Sequence, residues 1–337
     1  MINRRSFTFA AAVSTIAAFA PSVSVLASVQ EEAAGTLNLS RPITIIVPFA
    51  KGGPTHQMAK LIAGPLSKQL GVSVNVALIT GDWGMEGTVA AARSKSDGHT
   101  LIMGQMATHA ALPILTSNRR YDAVKDFTAI GLVGVSPMVF VVRKDLPVSN
   151  LAELSAYLNK RPATLAHGGY GSTSQVAGMQ LAAALNTNRL VTKIYAGTAA
   201  ALDDVAQGKV DVLCEQMVTA MPAIKAGRVK AIGIASTSRN IALPETFTGT
   251  QQGFANLRAS GWNGLYAPKG LAPALKAKLA GALNSVLEDA ATQRQFRELG
   301  VHVPFVEQRG PEALAALQAK DMRDLASLFL KSDTRAA

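Results

Sequence analysis

Three glycine- and hydroxyl-rich loops are the segments of this sequence best suited to bind a ligand. They cover residues 48–56, 167–175 and 195–198, and each joins a strand-like apolar run to a helix-like segment. Glycines let the backbone approach a ligand closely, and the free N–H groups of a helix N-terminus attract anions. Taken alone, each loop is better explained by ordinary helix capping. Three such loops at the carboxyl ends of strands indicate a shared anion-binding crevice, because open α/β sheets bind ligands there.

Individual residues in these loops have the types expected at helix starts. Pro54 follows two glycines and presets the first helical turn. Ser172 and Gln175 have the spacing of a capping box. Thr198 is expected to cap the helix that follows the third loop. The loops are therefore predicted to present backbone N–H groups and hydroxyls to a negatively charged ligand.

The usual patterns of catalytic and metal sites are absent from the sequence. It contains no Gly-x-Ser-x-Gly elbow, no Gly-Lys-Ser/Thr phosphate loop and no His-Glu-x-x-His spacing. Gly169-Tyr170-Gly171 begins a dinucleotide-binding pattern, but Ser174 occupies the third glycine position. Cys214 is the only cysteine, which excludes an intramolecular disulfide and a cysteine-rich zinc site. We expect a binding protein without a catalytic site, metal or cofactor rather than an enzyme.

The elements that must position the loops alternate between strands and helices. Apolar runs at residues 43–47, 72–79 and 101–103 are typical of buried strands, with helical spacing between them. A second block of the same kind starts at residue 140, and the pattern becomes helical beyond residue 265. This order predicts an α/β fold with mostly parallel sheets, and the chain length favours two lobes.

The N-terminus is typical of a cleavable export signal. Arg4 and Arg5 precede an apolar run that ends near Ala20, and Ala27 follows short residues suited to a signal peptidase. The run is too short for a membrane span, which needs about 20 apolar residues. We expect residues 1–27 to be removed and the mature protein to work in the periplasm. Both the twin-arginine and the general secretory route stay open.

The formal net charge of +11 restricts the choice of partners. Such a balance suits nucleic acid, a membrane surface or small anions. The basic residues are scattered, and no Lys/Arg-rich arm is interleaved with aromatic residues. Nucleic acid is therefore not an expected partner.

A collinear series of motifs resembles the Bug/TctC family of solute-binding receptors, which serve tripartite tricarboxylate transporters. The resemblance implies two doubly wound α/β lobes joined by hinge strands, the type II periplasmic-binding-protein architecture. It places residues 40–139 and 259–337 in one lobe and 140–258 in the other. The series begins with residues 42–55 and continues through Asp97-Gly98-His99-Thr100-Leu101, Tyr121-Asp122, Asp126-Phe127, Gly171-Ser172 with Ala177-Gly178, Tyr195-x-Gly197, Gly208-x-Val210-Asp211-Val212, Ile224-Lys225-Ala226-Gly227 and Trp262-x-Gly264-Leu265-x-Ala267-Pro268.

The resemblance also implies a function and a set of binding residues. A monomeric receptor would hold a small di- or tricarboxylate between the lobes and deliver it to the membrane subunits of such a transporter. A ligand-loaded partner of a membrane sensor, and an enzyme acting on a carboxylate in the cleft, stay open as alternatives. The implied ligand-binding residues are Phe49, Gly53, Thr55, His56, Trp83, Gly84, Met106, Thr108, Gly171, Ser172, Thr173, Ser174, Tyr195, Gly197, Thr198 and Glu215.

Departures from the family pattern bear on the identity of the ligand. His56 stands where the family usually has an aspartate, so a partner for a ligand ammonium is lost and amino acids are expected to bind poorly. Glu215-Gln216 replaces the usual aspartate-asparagine pair. Trp83 offers a flat apolar wall for an aromatic dicarboxylate, terephthalate-like in shape. Alternatively, it fills volume and narrows the pocket for a small dicarboxylate, and the sequence favours neither interpretation.

Overall fold

The computed structural model describes residues 39–116 and 120–331, with side chains up to residue 329. The predicted export signal lies outside these residues. Within the described chain, strands and helices alternate through most of the sequence, as expected. The strands are β1 (Ile43–Val47), β2 (Val74–Leu78), β3 (Thr100–Gln105), β4 (Phe127–Arg143), β5 (Ala163–His167), β6 (Leu190–Ile194), β7 (Val212–Gln216), β8 (Val229–Ile234) and β9 (Ser260–Pro268).

Helices connect and cover these strands. Among the described residues, none of them is long and apolar enough to cross a membrane. A 3-10 turn, Asp82–Gly84, precedes the second helix, and a π-helical stretch, Ala107–Ala111, precedes the third. The α-helices are α1 (Pro54–Leu70), α2 (Met85–Ala92), α3 (Leu112–Leu115), α4 (Leu151–Lys160), α5 (Thr173–Ala184), α6 (Thr198–Ala206), α7 (Met217–Lys225), α8 (Pro273–Glu288), α9 (Ala290–Glu298), α10 (Val306–Arg309) and α11 (Pro311–Lys331).

The strands form two sheet regions that share strand β4. In the first, β1 pairs in parallel with β2 and β3, and β9 lies antiparallel between β3 and β4. In the second, β5 pairs in parallel with β6 and β7, and β4 runs antiparallel to β7 and β8. The predicted α/β architecture of two lobes joined by hinge strands is confirmed.

Strand β4 passes from one sheet region to the other. Its residues 127–137 pair with β9, and residues 138–143 pair with β7 and β8. A second crossing comes just before β9, where the Met138 N–H donates to the Ala259 carbonyl at 2.9 Å. Two adjacent crossing segments are the geometry that permits hinge bending. The predicted limits of the lobes, 40–139 with 259–337 and 140–258, stay a prediction.

The first half of β4 was not expected from the sequence, which indicated a strand only from residue 140. Gly131, Gly134 and Pro137 interrupt the apolar pattern and are typical of turns. In the structure the two glycines lie at register shifts, where backbone and side chains approach closely. A Cβ at Gly131 would lie 2.5 Å from the Arg309 carbonyl oxygen. The glycines therefore mark bulges within a long strand rather than its end.

The C-terminal helices complete the core of the first sheet region. Leu279, Leu283 and Val286 of α8 are buried in the same cluster as Ile43 and Ile45 of β1. On the opposite side of the sheet, α11 contributes a further set of buried apolar side chains. Burying each such side chain stabilises the fold by about 1.5–3 kcal/mol. The late helical segment is therefore an integral part of the lobe that begins at β1.

Candidate functional site

A cavity of about 160 Å³ lies where four helices begin at the carboxyl ends of strands. The helices are α1, α5, α6 and α7, which follow β1, β5, β6 and β7. All three loops selected from the sequence contribute to it. The residues that line it are Phe49, Ala50, Lys51, Gly53, Pro54, Thr55, Gln105, Met138, Gly168, Ser172, Thr173, Ser174, Ala196, Gly197, Thr198, Ala199, Ala200, Glu215 and Gln216.

The loops of the two sheet regions contact each other around this cavity. An added Cβ at Gly52 would lie 3.2 Å from the Ala199 Cβ, and one at Gly197 would lie 3.2 Å from the Ala50 Cβ. Glycine at Gly52 also accommodates a φ of 88°, a conformation that other residues rarely adopt. The close approach of the loops places the cavity between the two sheet regions.

Two of the helices present bare N-termini to the cavity. Gly53 precedes α1 and Gly197 precedes α6, and neither position has a capping hydrogen bond from a described side chain. The prediction that Thr198 caps its helix is wrong, because Thr198 is the first helical residue and Gly197 occupies the capping position. The N–H groups of a first turn have no partner within the helix, and they carry partial positive charge. An anion in the cavity would meet both sets of N–H groups.

Helix α5 is capped as the sequence predicted. The Ser172 hydroxyl accepts a hydrogen bond from the Gln175 N–H at 3.2 Å. The Ser174 hydroxyl accepts one from the Gly168 N–H at 2.9 Å and lies 3.0 Å from the Ser172 hydroxyl. These two side chains thus hold the loop in shape, although both also line the cavity.

Four buried polar atoms on the cavity wall lack a hydrogen-bond partner among the described residues. Buried polar groups in folded proteins are nearly always paired, and leaving one unpaired costs about 1–3 kcal/mol. Four such atoms around one cavity indicate a place where a polar ligand supplies the missing partners. They are Thr173 Oγ1, Thr198 Oγ1, Glu215 Oε2 and Gln216 Oε1.

Glu215 is the charged group most deeply buried at the cavity. It lies near the end of β7 with no exposed surface, and its Oε1 accepts a hydrogen bond from the Gln216 N–H at 2.7 Å. Burial raises the pKa of Glu215 to about 7. The nearby Thr198 hydroxyl acts in the opposite direction and lowers this pKa, although the two side chains do not form a hydrogen bond of normal geometry. Of the described residues on the wall, only exposed Lys51 is also ionisable.

The structure brings nine of the sixteen sequence-predicted residues to this cavity. Two others, Trp83 and Gly84, line an adjoining cavity of about 400 Å³ that shares part of the same wall. The nine are Phe49, Gly53, Thr55, Ser172, Thr173, Ser174, Gly197, Thr198 and Glu215.

Trp83, in the turn before α2, packs against the loop that follows β5. Its ring lies against Gly169, where an added Cβ would come within 2.0 Å of Trp83 Cε3. It also makes an edge-to-face contact with Tyr170, at 5.9 Å between ring centroids. Trp83 has a φ of 53°, unusual for a residue with a side chain. In this arrangement the indole closes the side of the crevice and does not line the central cavity.

The other five predicted residues do not line this cavity and have structural partners elsewhere in the fold or beside its wall. His56 Nδ1 accepts a hydrogen bond from the Gly52 N–H at 3.1 Å. Met106 belongs to an apolar cluster, and the buried Thr108 hydroxyl lies 3.0 Å from His109 Nδ1. Gly171 lies against Ala111 and Leu115, and the Tyr195 hydroxyl donates to Asp204 at 2.7 Å. Their assignment as ligand contacts stays a prediction.

Ten of the nineteen wall residues were not selected as binding residues, and three of these ten come from strands. Gln105 and Met138 come from β3 and β4, and Gln216 ends β7. Gln216 was noted only as a departure from the family pattern, and both Gln216 and Gln105 end a strand. Their positions at strand ends were the available signal, because the carboxyl ends of neighbouring strands meet at one edge. Met138 lies in the part of β4 that the sequence did not predict, so no comparable signal existed.

Comparison of the sequence and the structure with known proteins identifies the family of this chain. The model of the tripartite tricarboxylate transporter family receptor, TctC, matches residues 58–328. A UPF0065 protein of Agrobacterium vitis is 33% identical over 277 residues, 82% of this chain and 80% of that protein. MatC from Rhodopseudomonas palustris, solved with bound malate, has a TM-score of 0.80 and 33% identity over 86% of this chain and 99% of its own.

A second solved structure is similar to the same extent. The periplasmic binding protein BugD has a TM-score of 0.82 and 33% identity, covering 88% of this chain and 99% of that one. These relatives are binding receptors and not enzymes, in agreement with the absence of catalytic motifs from the sequence. The chain belongs to the tripartite tricarboxylate transporter receptor family of periplasmic solute-binding proteins.

Proposed function

We propose that this receptor captures a small organic di- or tricarboxylate in the cavity between its loops and delivers it to the membrane subunits of a tripartite tricarboxylate transporter. In this proposal the chain is exported with residues 1–27 as its signal, and it acts as a monomer in the periplasm. Residues 40–139 with 259–337 and residues 140–258 form the two lobes.

The observation that carries the proposal is the set of hydrogen-bonding groups around the cavity. Two bare helix N-termini and the free hydroxyls of Thr173 and Thr198 surround a space of about 160 Å³. Each charge-assisted hydrogen bond to a carboxylate contributes roughly 1.5–3 kcal/mol. A few such bonds support micromolar affinity, about −8 kcal/mol. The malate bound to MatC, a relative of similar fold, supports the same ligand class.

The adjoining cavity lined by Trp83 favours a second and more specific candidate ligand, an aromatic dicarboxylate. The two cavities share Phe49, Ala50, Gly168 and Ala196. A terephthalate-like ligand would place one carboxylate at the helix N-termini and its ring toward Trp83. A compact ligand such as malate would need only the central cavity, with Trp83 closing its side.

Calorimetry with purified mature protein tests both versions. Malate, adipate, citrate and terephthalate are titrated, with aspartate and glutamate as amino-acid competitors. We expect at least one of the four carboxylates to bind at micromolar concentration and to raise the Tm by mass action. Failure of every carboxylate to bind, or tighter binding of aspartate or glutamate than of all four, would overturn the proposal.

The Trp83→Ala variant separates the two ligand sizes. If the ring of terephthalate stacks on Trp83, the variant loses about 0.5–1.5 kcal/mol of its binding energy, roughly 2- to 13-fold in Kd. Malate affinity should change less. Unchanged terephthalate affinity in the variant would eliminate the stacking interpretation.

A further inference from the structure

Glu215 is placed to contact the ligand directly, yet its charge conflicts with a carboxylate. It lies in β7 opposite Val139 of β4, and its side chain has no exposed surface. One carboxyl oxygen accepts from the Gln216 N–H, whereas Oε2 has no partner among the described residues. Because Glu215 lines the cavity, a bound ligand can supply a partner for Oε2.

Among the described residues no cation contributes to the pKa of Glu215, which is set by burial, the Thr198 hydroxyl and the Gln216 N–H. On the wall of the cavity Lys51 is exposed, and the pKa of His56 on α1 is lowered by burial and by Lys60 and Lys51. At the end of β5, burial also lowers the pKa of His167. On β7 itself, the pKa of the Cys214 thiol is raised by burial and by Glu215. On the loop before α6, the Tyr195 hydroxyl donates to Asp204.

Two ionised carboxylates in this setting would repel strongly. Like charges at close range repel more strongly inside a protein than in water, because the protein interior screens them less. One added proton removes this repulsion and turns Oε2 from an acceptor into a donor. The helix N-termini then stabilise the remaining negative charge on the ligand.

We propose that Glu215 binds the ligand as a neutral acid, donating a hydrogen bond from Oε2 to a ligand carboxylate, so that the ligand enters the cavity together with one proton. This inference rests on the proposed function. The proton comes from solution and is held on Glu215, and no covalent bond between protein and ligand forms or breaks. The proton on Glu215 thereby determines the total charge of the ligand and side chain that the cavity accommodates.

The free protein is already poised for this protonation. Burial raises the pKa of Glu215 to about 7, so the neutral form is populated near neutral pH before the ligand arrives. A neighbouring ligand carboxylate raises that pKa further. Affinity is therefore complete below about pH 7 and falls by up to tenfold for each pH unit above it, until the pKa of the complex is reached.

Calorimetric titration of malate between about pH 6 and about pH 8.5 measures the coupling. Malate carboxyls have ordinary pKa values of about 4 and stay ionised across this range. Repeating each titration in two buffers of different ionisation enthalpy gives the number of protons taken up. We expect uptake approaching one proton per complex at about pH 8, with Kd weakening as the pH rises. Adipate and terephthalate serve as further probes.

The isosteric variant Glu215→Gln provides the decisive comparison. It keeps a hydrogen-bond donor in place of the protonated acid, so its malate affinity should be independent of pH and its proton uptake should vanish. Glu298→Gln, at an exposed carboxylate outside the cavity, is the matched control and should behave like the parent protein. Unfolding curves of each variant confirm that it is folded before binding is measured.

Infrared difference spectra give a readout that is independent of affinity. At about pH 8, addition of malate carrying ¹³C-labelled carboxyls should produce the C=O stretch of an unlabelled, protonated carboxyl group in the parent protein and none in Glu215→Gln. Binding without proton uptake, or affinity that rises with pH, would overturn this inference and leave the carboxylate receptor intact. Failure of every carboxylate probe to bind would overturn both.

Discussion

At the scale of single residues, Glu215 should make the stability of the empty receptor depend on pH. Its pKa of about 7 in the fold lies above the ordinary value of 4.5, so folding favours the protonated form. The free energy of unfolding should decrease as the pH rises from about 4.5 to about 7 and then level off. Glu215→Gln removes this penalty and should stabilise the empty protein by about 1–3 kcal/mol above pH 7, with little gain near pH 4. Urea unfolding at the two pH values measures it, and equal pH dependence in the variant and the parent would contradict it.

The free hydroxyls of the cavity make a second residue-scale prediction. Thr173→Val and Thr198→Val remove one donor each while keeping the side-chain shape. Each should weaken malate binding by about 10- to 100-fold, the value of one charge-assisted hydrogen bond. Thr219→Val is the matched control, because the buried Thr219 hydroxyl is also unpaired among the described residues but does not line the cavity. Equal losses of affinity in all three variants, measured by calorimetry, would mean that the hydroxyls affect binding by stabilising the protein structure and not by contacting the ligand.

The sequence could predict the residues of the wall that belong to local motifs. Ser172 was recognised from its capping box, and Gly53 from its place before a helix-starting proline. Gln105 and Met138 could not be found in this way, because their contribution arises only when the strands are ordered in the sheet. The prediction that Thr198 caps α6 is wrong for a local reason, because the preceding residue, Gly197, adopts the extended conformation of a capping residue.

At the scale of elements, the loop after β5 and the turn before α2 form an interlocking pair. Gly169 has a φ of 99° and seats the Trp83 ring. Gly169→Ala would place a methyl group within 2.0 Å of that ring. We expect malate affinity to fall at least tenfold, together with a loss of about 1–2 kcal/mol in the free energy of unfolding from the strained backbone.

A double variant tests the assigned cause of this loss. Trp83→Ala combined with Gly169→Ala removes the overlap but retains the strained backbone. It should recover part of the malate affinity lost in Gly169→Ala and none of the unfolding free energy. A double variant that binds as weakly as Gly169→Ala would show that the two loops do not act through this contact.

The contrast between predicted and observed elements has a physical cause. Helix α5 begins with the capping side chain that the sequence predicted, and the structure confirms this start. Strand β4 was recognised only in its second half, because Gly131, Gly134 and Pro137 interrupt the apolar pattern. These residues accommodate Arg309, other neighbouring side chains and the crossing between sheets. Such long-range requirements leave no periodic signal in the local sequence.

At the scale of the whole molecule, the two sheet regions are connected by β4 and by the segment before β9. The described cavity is bordered by loops of the two regions that approach each other closely, at Gly52 with Ala199 and at Gly197 with Ala50. The structure thus has the arrangement of a closed receptor, and hinge bending about the two crossings is the motion that would open it.

Small-angle X-ray scattering of the empty and malate-loaded protein tests this motion. A ligand shifts a conformational equilibrium only by its preference for one state, and the helix N-termini of both regions reach the ligand only when the loops meet. We therefore expect malate to reduce the radius of gyration of the parent protein. At saturating malate, the Gly169→Ala variant should keep a larger radius of gyration than the parent protein, because its methyl group prevents the Trp83 ring from packing against residue 169. Identical scattering from the empty and loaded parent protein would mean that the cavity fills without hinge closure, and the loop contacts would then be a fixed feature of the fold.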